Sequence, residues 1–251
     1  MRSFLEFAVE AAWEAGRITL AYFQTGLAIE TKPDGSPVTV ADRLAEEKLR
    51  SLIRARFPEH GILGEEMGRQ EADSEYLWII DPIDGTRSFA RGVPLYGTLV
   101  GLEIGGEPAL GVAYFPALGE MVYAARGEGC YWNGRRARVS EVMALEEALL
   151  LVTDMADIAR YGRSAAYAKL QKATAYQRGW GDCYGHILVA TGRAEIMLDP
   201  VVSVWDCAAL LPILQEAGGT FTDWEGSPTI HVNDAISTNG HLFETVMEMI
   251  K

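Results

Sequence analysis

The sequence predicts a layered α/β (α+β) protein, and three observations support that fold class. Apolar residues recur at spacings of three and four over residues 4–24 and again over 39–57, which is the pattern of two amphipathic helices. Residues 61–139 form short β-rich runs that Gly and Pro turns separate. After about residue 141, strand and helix patterns alternate, so the second half of the chain is expected to form α/β layers.

The two N-terminal helices flank a segment rich in turn formers. Gly26 is the expected end of the first helix, and residues 32–37 contain two prolines, a glycine and an aspartate. The second helical pattern begins near Thr39 and stops before Pro58. Asp42 therefore falls in the first turn of the second helix.

Strands and helices in the second half can be assigned from the same periodicities. The predicted strands are Ala148–Val152, Ala194–Leu198 and Thr220–Asp223, and the predicted helices lie around Ser164–Lys172, Tyr184–Ala190 and Trp205–Ala217. The chain shows no internal repeat and no linker-like stretch. We therefore expect an N-terminal lobe, residues 1–140, and a C-terminal lobe, residues 141–251, that pack tightly together.

Composition and charge exclude several classes of protein. With 49% hydrophobic and 23% charged residues, the chain resembles a soluble globular enzyme. Its net charge of −13 opposes binding to nucleic acid or to anionic lipid. Its three cysteines have no CxxC spacing, which argues against a disulfide framework and a thiolate zinc site. With no export signal and no membrane-length apolar run, a cytoplasmic protein is expected.

The run Trp78–Thr86 carries the strongest chemical signal. An apolar strand is expected to bring Asp81 to its end, and Pro82 is expected to stop further ladder pairing. The turn that follows lets Asp84 converge on Asp81, and the carbonyl of Ile83 adds another oxygen. Mg²⁺ prefers such oxygen ligands. The alternative is an ordinary junction with an aspartate capping a helix, but the coincidence of these residues favours a metal site.

Two further acidic segments are weaker signals when each is taken alone. Gly61–Glu66 ends in paired glutamates, Glu65 and Glu66, and such pairs usually lie on a solvated surface. Ser203–Leu210 places Asp206 at the start of an apolar helix, where an acid can simply complement the helix dipole.

Taken together, these segments resemble the signature of the inositol monophosphatase superfamily, in which Gly-Glu-Glu, Asp-Pro-Ile-Asp-Gly-Thr and Trp-Asp occur in this order. Residues 38–42 and 218–223 are similar to the family at matching places, so the resemblance covers nearly the whole chain. It implies an αβαβα sandwich with the site between the two lobes, and a homodimer.

The resemblance also implies a set of metal ligands. Glu65, Asp81 and the carbonyl of Ile83 would hold one Mg²⁺, and Asp81, Asp84 and Asp206 would hold a second. Two or three Mg²⁺ ions are expected in all, and paired ions suit in-line phosphoryl transfer. Glu65 is accordingly counted among the catalytic residues.

The other catalytic residues implied by the resemblance are Thr86 and Asp42. Thr86, oriented by Asp42, would position the attacking water, and the backbone N–H groups of Gly85 and Thr86 would hold the phosphate. Lys32 resembles a family lysine near the active site. No phosphoenzyme is needed, because none of the four histidines lies in a recognisable triad motif.

The glycine-rich run Gly179–Gly185 superficially resembles a dinucleotide fingerprint, but its last glycine is off by one. The family places this loop at the organic part of the substrate. Inositol-specific members usually carry a small residue where this chain has Asp182 and a glutamate where it has Asp199. The chain therefore looks more like the histidinol-phosphate phosphatase branch, since two acids outside the metal cluster would recognise an ammonium and an imidazole.

Several alternatives remain open at this point. Inositol phosphate, a bisphosphate or a broad range of small phosphorylated metabolites could be the substrate. A hypothesis of another class is a protein-binding factor of the transcription machinery, a role that some bacterial relatives fill.

Overall fold

The computed structural model describes residues 1–33 and 35–251; Asp34, in the predicted turn-rich segment, lies outside them. Two long helices, α1 (Arg2–Tyr22) and α2 (Val40–Arg56), form the first layer. Between them, β1 (Glu30–Thr31) and β2 (Pro37–Val38) pair antiparallel. Helix α1 thus ends before Gly26, and α2 has the predicted bounds.

The second layer is an eight-stranded sheet with the order β10-β9-β8-β7-β6-β5-β3-β4. Its strands are β3 (Gly61–Gly64), β4 (Gly68–Gln70), β5 (Tyr76–Asp84), β6 (Gly97–Ile104), β7 (Glu107–Phe115), β8 (Glu120–Ala125), β9 (Gly129–Trp132) and β10 (Arg135–Arg136). Only β3 and β5 are parallel neighbours. Trp78 and Ile80 of β5 face α1 and α2 in one apolar core, whereas Ile79 faces the opposite side. A short helix, α3 (Thr86–Ala90), follows β5.

The fourth layer is a five-stranded sheet with the order β12-β11-β13-β15-β14. Its strands are β11 (Leu149–Val152), β12 (Tyr176–Arg178), β13 (Ile196–Asp199), β14 (Thr220–Thr222) and β15 (Ala235–Thr238). Strand β11 is parallel to β12 and β13, and the remaining pairs are antiparallel. A 3₁₀ turn, Leu145–Glu147, precedes this sheet.

The remaining helices form the third and fifth layers. Helices α6 (Asp182–Ala190), α7 (Val204–Cys207) and α8 (Leu210–Ala217) lie between the two sheets. Helices α4 (Met155–Arg160), α5 (Ser164–Ala173) and α9 (Phe243–Ile250) cover the outer face of the smaller sheet. The predicted αβαβα sandwich is therefore confirmed. The division into lobes at residue 140 stays a prediction.

Strand β5 differs from its prediction at Pro82. The strand does not end at Asp81 but continues to Asp84, which pairs with Gly97 across a register irregularity. Proline cannot donate to the ladder, and a bulge accommodates the missing bond. The carbonyl of Pro82 still accepts a hydrogen bond from Thr98 Oγ1 at 2.9 Å. Asp81 and Asp84 therefore both lie on one rigid strand end.

The predicted helix Trp205–Ala217 is divided into α7 and α8. Ala208 and Ala209 keep right-handed helical torsions, but neither helix includes them. Pro212 explains the division, because it has no N–H group for the carbonyl of Ala208, four residues before it.

The junction between α7 and α8 lies against two glycines of the larger sheet, Gly101 and Gly111, which are paired across β6 and β7. A Cβ on Gly111 would lie 1.9 Å from the carbonyl oxygen of Ala209, and one on Gly101 would lie 2.8 Å from Cβ of Ala208. This close approach brings the start of α7 to the end of β5.

Among residues 1–33 and 35–251, no helix has the length and apolar character that a membrane crossing requires.

Candidate active site

A cleft of about 550 Å³ opens between the two sheets, at the end of β5 and the starts of α3, α6 and α7. Every predicted acidic site residue except Asp42 lines it, and Asp154 and Asp157 add two further carboxyl groups. Among the described residues, its basic side chains are Arg87, Arg160 and His186. The cleft is thus strongly acidic and suited to cations.

Three aspartates meet at the floor of the cleft. Asp81 and Asp84 come from the end of β5, and Asp206 comes from the first turn of α7. One oxygen from each lies within 4.8 Å of the others. The structure therefore brings Asp81 and Asp206 together, although 125 positions separate them in the sequence.

A backbone amide restrains one oxygen of each aspartate. The hydrogen bonds are Ile83 N–H to Asp81 Oδ1 at 3.0 Å, Cys183 N–H to Asp84 Oδ1 at 2.8 Å and Ser203 N–H to Asp206 Oδ2 at 2.8 Å. The last bond belongs to a capping box in which Asp206 is the third residue of α7. Each carboxylate is therefore oriented by the fold itself.

Burial and mutual repulsion make these aspartates hard to ionise. Burial raises the pKa of Asp81 and Asp84 well above the ordinary value, and neighbouring carboxylates act in the same direction. Burial also raises the pKa of Asp206 to about 7, despite the hydrogen bond from Ser203. A divalent cation would relieve this repulsion, and the all-oxygen donor set fits Mg²⁺.

Glu65 lies beside this cluster, just after β3, and adds to the charge felt by Asp81 and Asp206. Lys32 joins it from the β1–β2 hairpin: Nζ lies 2.7 Å from Glu65 Oε1 and 2.8 Å from Glu66 Oε1. Burial alone would lower the pKa of Lys32, but the two glutamates raise it above its ordinary value. Lys32 is therefore charged, and it pairs with Glu65 beside the cluster.

A buried ion pair, which sequence reasoning missed, supports the paired glutamates. Glu46 of α2 is fully buried, pairs with Arg50, and accepts the N–H groups of Glu66 at 2.7 Å and Met67 at 3.1 Å. Gly64 permits this approach, since a Cβ there would lie 2.3 Å from Glu46 Oε1. The only sequence signal was a pair of opposite charges four positions apart on α2.

Thr86 and Asp42 lie next to each other at the start of α3. Thr86 Oγ1 lies 3.0 Å from the carbonyl oxygen of Ile83 and 3.5 Å from Asp42 Oδ1. Asp42 Oδ2 accepts the N–H and the hydroxyl of Thr39 in the capping box of α2. Burial raises the pKa of Asp42 to about 6, against those hydrogen bonds. Gly85, in left-handed backbone with a φ of 86°, precedes Thr86 at the start of α3.

Asp182 and Asp199 lie on the wall of the cleft beside the aspartate cluster. Asp182 begins α6, and its Oδ2 lies 3.5 Å from Ser88 Oγ. Burial and the charge of Asp199 raise the pKa of Asp182 to about 7. Asp199 ends β13 and is buried. The loop that resembled a dinucleotide fingerprint therefore contributes a carboxylate to the acidic cleft.

Two polar residues that the sequence did not single out, Thr153 and His186, lie next to Asp199. Thr153 directly follows β11 and donates to Asp199 Oδ2 at 2.9 Å. His186, buried in α6, lies 2.7 Å from Ser237 Oγ and 3.9 Å from Asp199 Oδ2. Thr153 had a usable signal, since ligand sites gather at the carboxyl ends of parallel strands. His186 had none.

A cleft lined with carboxylates between the sheets of an αβαβα sandwich, next to the start of a short helix, is the arrangement of a metal-dependent phosphatase. The chain belongs to the inositol monophosphatase family, whose model matches residues 1–250. Phosphatases of this family act on small phosphorylated metabolites.

Relatives and solved structures are similar over most of the chain. Histidinol-phosphatase of Chlorobaculum parvum is 45% identical over 227 residues, which are 90% of this chain and 88% of that protein. Histidinol-phosphatase of Mycobacterium tuberculosis is 39% identical over 249 residues, or 97% and 96% of the two chains. The crystal structure of the extragenic suppressor protein suhB from Bartonella henselae has a TM-score of 0.93 at 28% identity, covering 99% of this chain and 98% of its own.

Proposed function

We propose that this chain is a Mg²⁺-dependent phosphomonoesterase that hydrolyses histidinol phosphate. The observation that carries the proposal is that Asp182 and Asp199 line the same cleft as the aspartate cluster. A phosphate at the cluster would leave the organic part of the ester within reach of both acids. The similarity to two histidinol-phosphatases over most of the chain supports the same substrate.

The proposed metal ligands are the three aspartates whose oxygens meet at the cleft floor, together with Glu65 and the carbonyl of Ile83. Asp81, Asp84 and Asp206 would hold one Mg²⁺, and Glu65, Asp81 and the Ile83 carbonyl would hold another, with two or three ions in all. Bound Mg²⁺ would lower the pKa of a water molecule and neutralise charge on the phosphate oxygens. The chain's own contribution is to hold the carboxylates in fixed orientations through backbone amides.

The residues at the start of α3 would orient the reacting groups. The Thr86 hydroxyl, held between Ile83 and Asp42, is proposed to accept a hydrogen bond from the attacking water. The backbone N–H groups of Gly85 and Thr86 are proposed to hold phosphate oxygens. Lys32 would add positive charge near the phosphate. Such fixed positioning lowers the entropy cost of bringing the reactants together in the transition state.

Specificity for a cationic leaving group follows from the charge of the wall. Histidinol phosphate carries an ammonium and an ionisable imidazole, whereas inositol carries only hydroxyl groups. A charge-assisted hydrogen bond to Asp182 or Asp199 is worth about 1.5–3 kcal/mol, which is roughly ten- to hundredfold in kcat/KM.

A second candidate is hydrolysis of inositol 1-phosphate, which the family match favours. A role as a protein-binding factor for transcription is the candidate of another class, because the family resemblance suggests it and Nus factor SuhB of Pasteurella multocida is 30% identical to this chain. The complete set of cleft carboxylates supports catalysis over a purely binding role.

The deciding experiment is a substrate panel. The purified protein would be assayed with histidinol phosphate, inositol 1-phosphate, fructose 1,6-bisphosphate and p-nitrophenyl phosphate, with Mg²⁺ and after chelation. We expect the highest kcat/KM with histidinol phosphate and none of these activities after chelation. A wild-type preference for inositol 1-phosphate would overturn histidinol phosphate as the substrate. Phosphate release that the chelator does not affect would overturn the proposed Mg²⁺ dependence.

Asp182→Ala refines the same experiment. It should lower kcat/KM for histidinol phosphate by roughly ten- to hundredfold and leave p-nitrophenyl phosphate nearly unchanged. An equal loss on every substrate would mean that Asp182 supports the loop and does not contact the ligand.

We also propose a homodimer and a cytoplasmic location, as the family resemblance and the cysteine pattern suggest. Light scattering on the purified chain and fractionation of cells that express it would test the two points.

A further inference from the structure

Thr153 lies between the two acids on the cleft wall and contacts both. Its hydroxyl donates to Asp199 Oδ2 at 2.9 Å and accepts the backbone N–H of Asp182 at 3.0 Å. A threonine hydroxyl has one proton to donate and lone pairs to accept. This single group therefore links the side chain of one acid to the main chain of the other, although 29 and 46 positions separate them from Thr153.

The backbone at Asp182 needs such support. Its φ of 52° lies in the left-handed region, which few residues other than glycine adopt. Gly181, just before it, packs directly on Thr153, because a Cβ there would lie 2.2 Å from Thr153 Cα. The hydrogen bond from Asp182 to Thr153 is thus made at the point where the chain turns into α6, and it helps to set where the Asp182 carboxylate lies.

Asp199 is held through one oxygen as well. Its Oδ2 receives the Thr153 hydroxyl and lies 3.9 Å from His186 Nε2, while its main-chain carbonyl accepts from Trp224 Nε1 at 3.3 Å. Within the described residues, Oδ1 has no hydrogen bond or ion pair. One oxygen therefore faces the protein, and the other is left for a ligand in the cleft that Asp199 lines.

We propose that Thr153 is a positioning residue for substrate specificity, which holds the carboxylates of Asp182 and Asp199 in the arrangement that receives one ammonium group. The inference rests on the proposed function, because it concerns how the same cleft recognises a cationic ester. Two like charges at one wall repel each other, and the Thr153 hydroxyl, which holds the Asp199 carboxylate and the Asp182 main chain, opposes their separation. The Thr153 side chain itself need not contact the substrate.

The test compares two variants and three esters. Thr153→Val removes both hydrogen bonds at nearly constant volume, and Thr153→Ser keeps the hydroxyl. The esters are histidinol phosphate, imidazolylpropyl phosphate, which lacks only the amino group, and p-nitrophenyl phosphate, which carries no cation. Thermal unfolding with and without Mg²⁺ gives a readout independent of turnover.

We expect Thr153→Val to raise KM for histidinol phosphate about tenfold with little change in kcat, because positioning of the ammonium is lost and the reacting groups are not. The preference for histidinol phosphate over its deamino analogue should fall by the same factor. Turnover of p-nitrophenyl phosphate and the Mg²⁺-induced rise in Tm should stay near wild type. Thr153→Ser should restore the preference.

Each of the other outcomes contradicts either the role of Thr153 or the proposed substrate. A preference that survives in Thr153→Val overturns the role of Thr153 and leaves the proposed function standing. An equal loss on all three esters, without rescue by Thr153→Ser, also overturns it, because Thr153 would then support the whole site. A wild-type enzyme that prefers the deamino analogue refutes recognition of the ammonium group, and the wild-type data alone decide this. If Thr153→Val does not fold, Thr153→Ala can be tested in its place, because it removes the same hydroxyl and puts less bulk against Gly181.

Discussion

Gly101 and Gly111 face each other across β6 and β7, and the α7–α8 junction occupies the space that a side chain at either position would need. The carbonyl oxygen of Ala209 would lie 1.9 Å from a Cβ on Gly111. No rotamer change can relieve a clash with backbone. The position of Asp206 at the start of α7 therefore depends on two glycines that do not line the cleft.

Gly111→Ala should consequently weaken metal binding from a distance. We expect a loss of about 1–3 kcal/mol in the free energy of unfolding from overpacking, together with a smaller Mg²⁺-induced rise in Tm, as α7 is displaced. Urea unfolding measures the free energy of unfolding, and thermal unfolding with and without Mg²⁺ measures the rise in Tm. Gly179→Ala is the matched control, because its Cβ would meet only Val152 O, at 3.9 Å. A destabilised Gly111→Ala protein with the full Mg²⁺ response would show that the glycine pair serves packing alone.

The metal-free protein should lose stability as pH rises. The pKa of Asp206 is about 7 in the folded chain and near 3.8 when unfolded, so the folded state holds its proton more tightly. The stability that the protonated Asp206 contributes is fully present below about pH 4 and is lost as pH rises through about 7. Asp182, with a pKa of about 7, acts in the same direction.

Urea unfolding between about pH 4.5 and pH 8 in the presence of chelator measures this slope. Saturating Mg²⁺ should flatten it, because a cation replaces the protons. Metal-free stability that instead increases across this window would contradict the raised pKa values.

Asp206→Asn should affect stability in opposite directions with and without metal. The amide oxygen can still accept the Ser203 N–H, so the cap of α7 survives, while one repelling charge disappears. At about pH 8 without metal we expect a gain of about 1 kcal/mol. The Mg²⁺-induced rise in Tm should be largely lost. Asp206→Ala loses the cap as well and should show no gain, which separates the charge effect from the helix effect.

Thr86→Ala should reduce kcat by one to three orders of magnitude, roughly the effect of losing a transition-state hydrogen bond. KM should change little, because the hydroxyl is proposed to act on the attacking water. Thr86→Ser keeps the hydroxyl that lies between Ile83 and Asp42 and should retain most activity. Steady-state kinetics with histidinol phosphate and p-nitrophenyl phosphate would measure both. A Thr86→Ala enzyme with normal kcat and raised KM would make Thr86 a substrate-binding residue.

Much of the fold could be predicted from the sequence because its signals are local. The helical periodicity of residues 4–24 and 39–57 and the alternation after residue 141 depend on neighbours in the chain, and the structure confirms the layers. The errors occurred at proline. Pro82 was expected to end a strand that in fact continues through a bulge, and Pro212 divides a helix that the apolar pattern made continuous.

The site could be predicted only in part. Asp81 and Asp84 lie in one short motif, but Glu65 and Asp206 gained significance only from the family resemblance. The contacts of Thr153 and His186 depend on the strand order β12-β11-β13-β15-β14, which brings β13 beside both β11 and β15. No local pattern encodes that order, so partners such as Ser237 and His186, 51 positions apart, could not be paired in advance.

Asp42 and Asp206 share a feature with practical value for trapping the enzyme with its substrate. Each is the third residue of its helix and closes a capping box, with Thr39 and with Ser203 respectively. Truncating either one therefore removes a helix start along with a site carboxylate, and an inactive protein of that kind could be inactive through misfolding. Asp84 closes no such box: it lies at the end of β5 and accepts one amide from Cys183. Asp84→Asn, whose amide oxygen can still accept the Cys183 N–H, is thus a better choice than truncating Asp42 or Asp206 for an inert enzyme to be crystallised with intact ester.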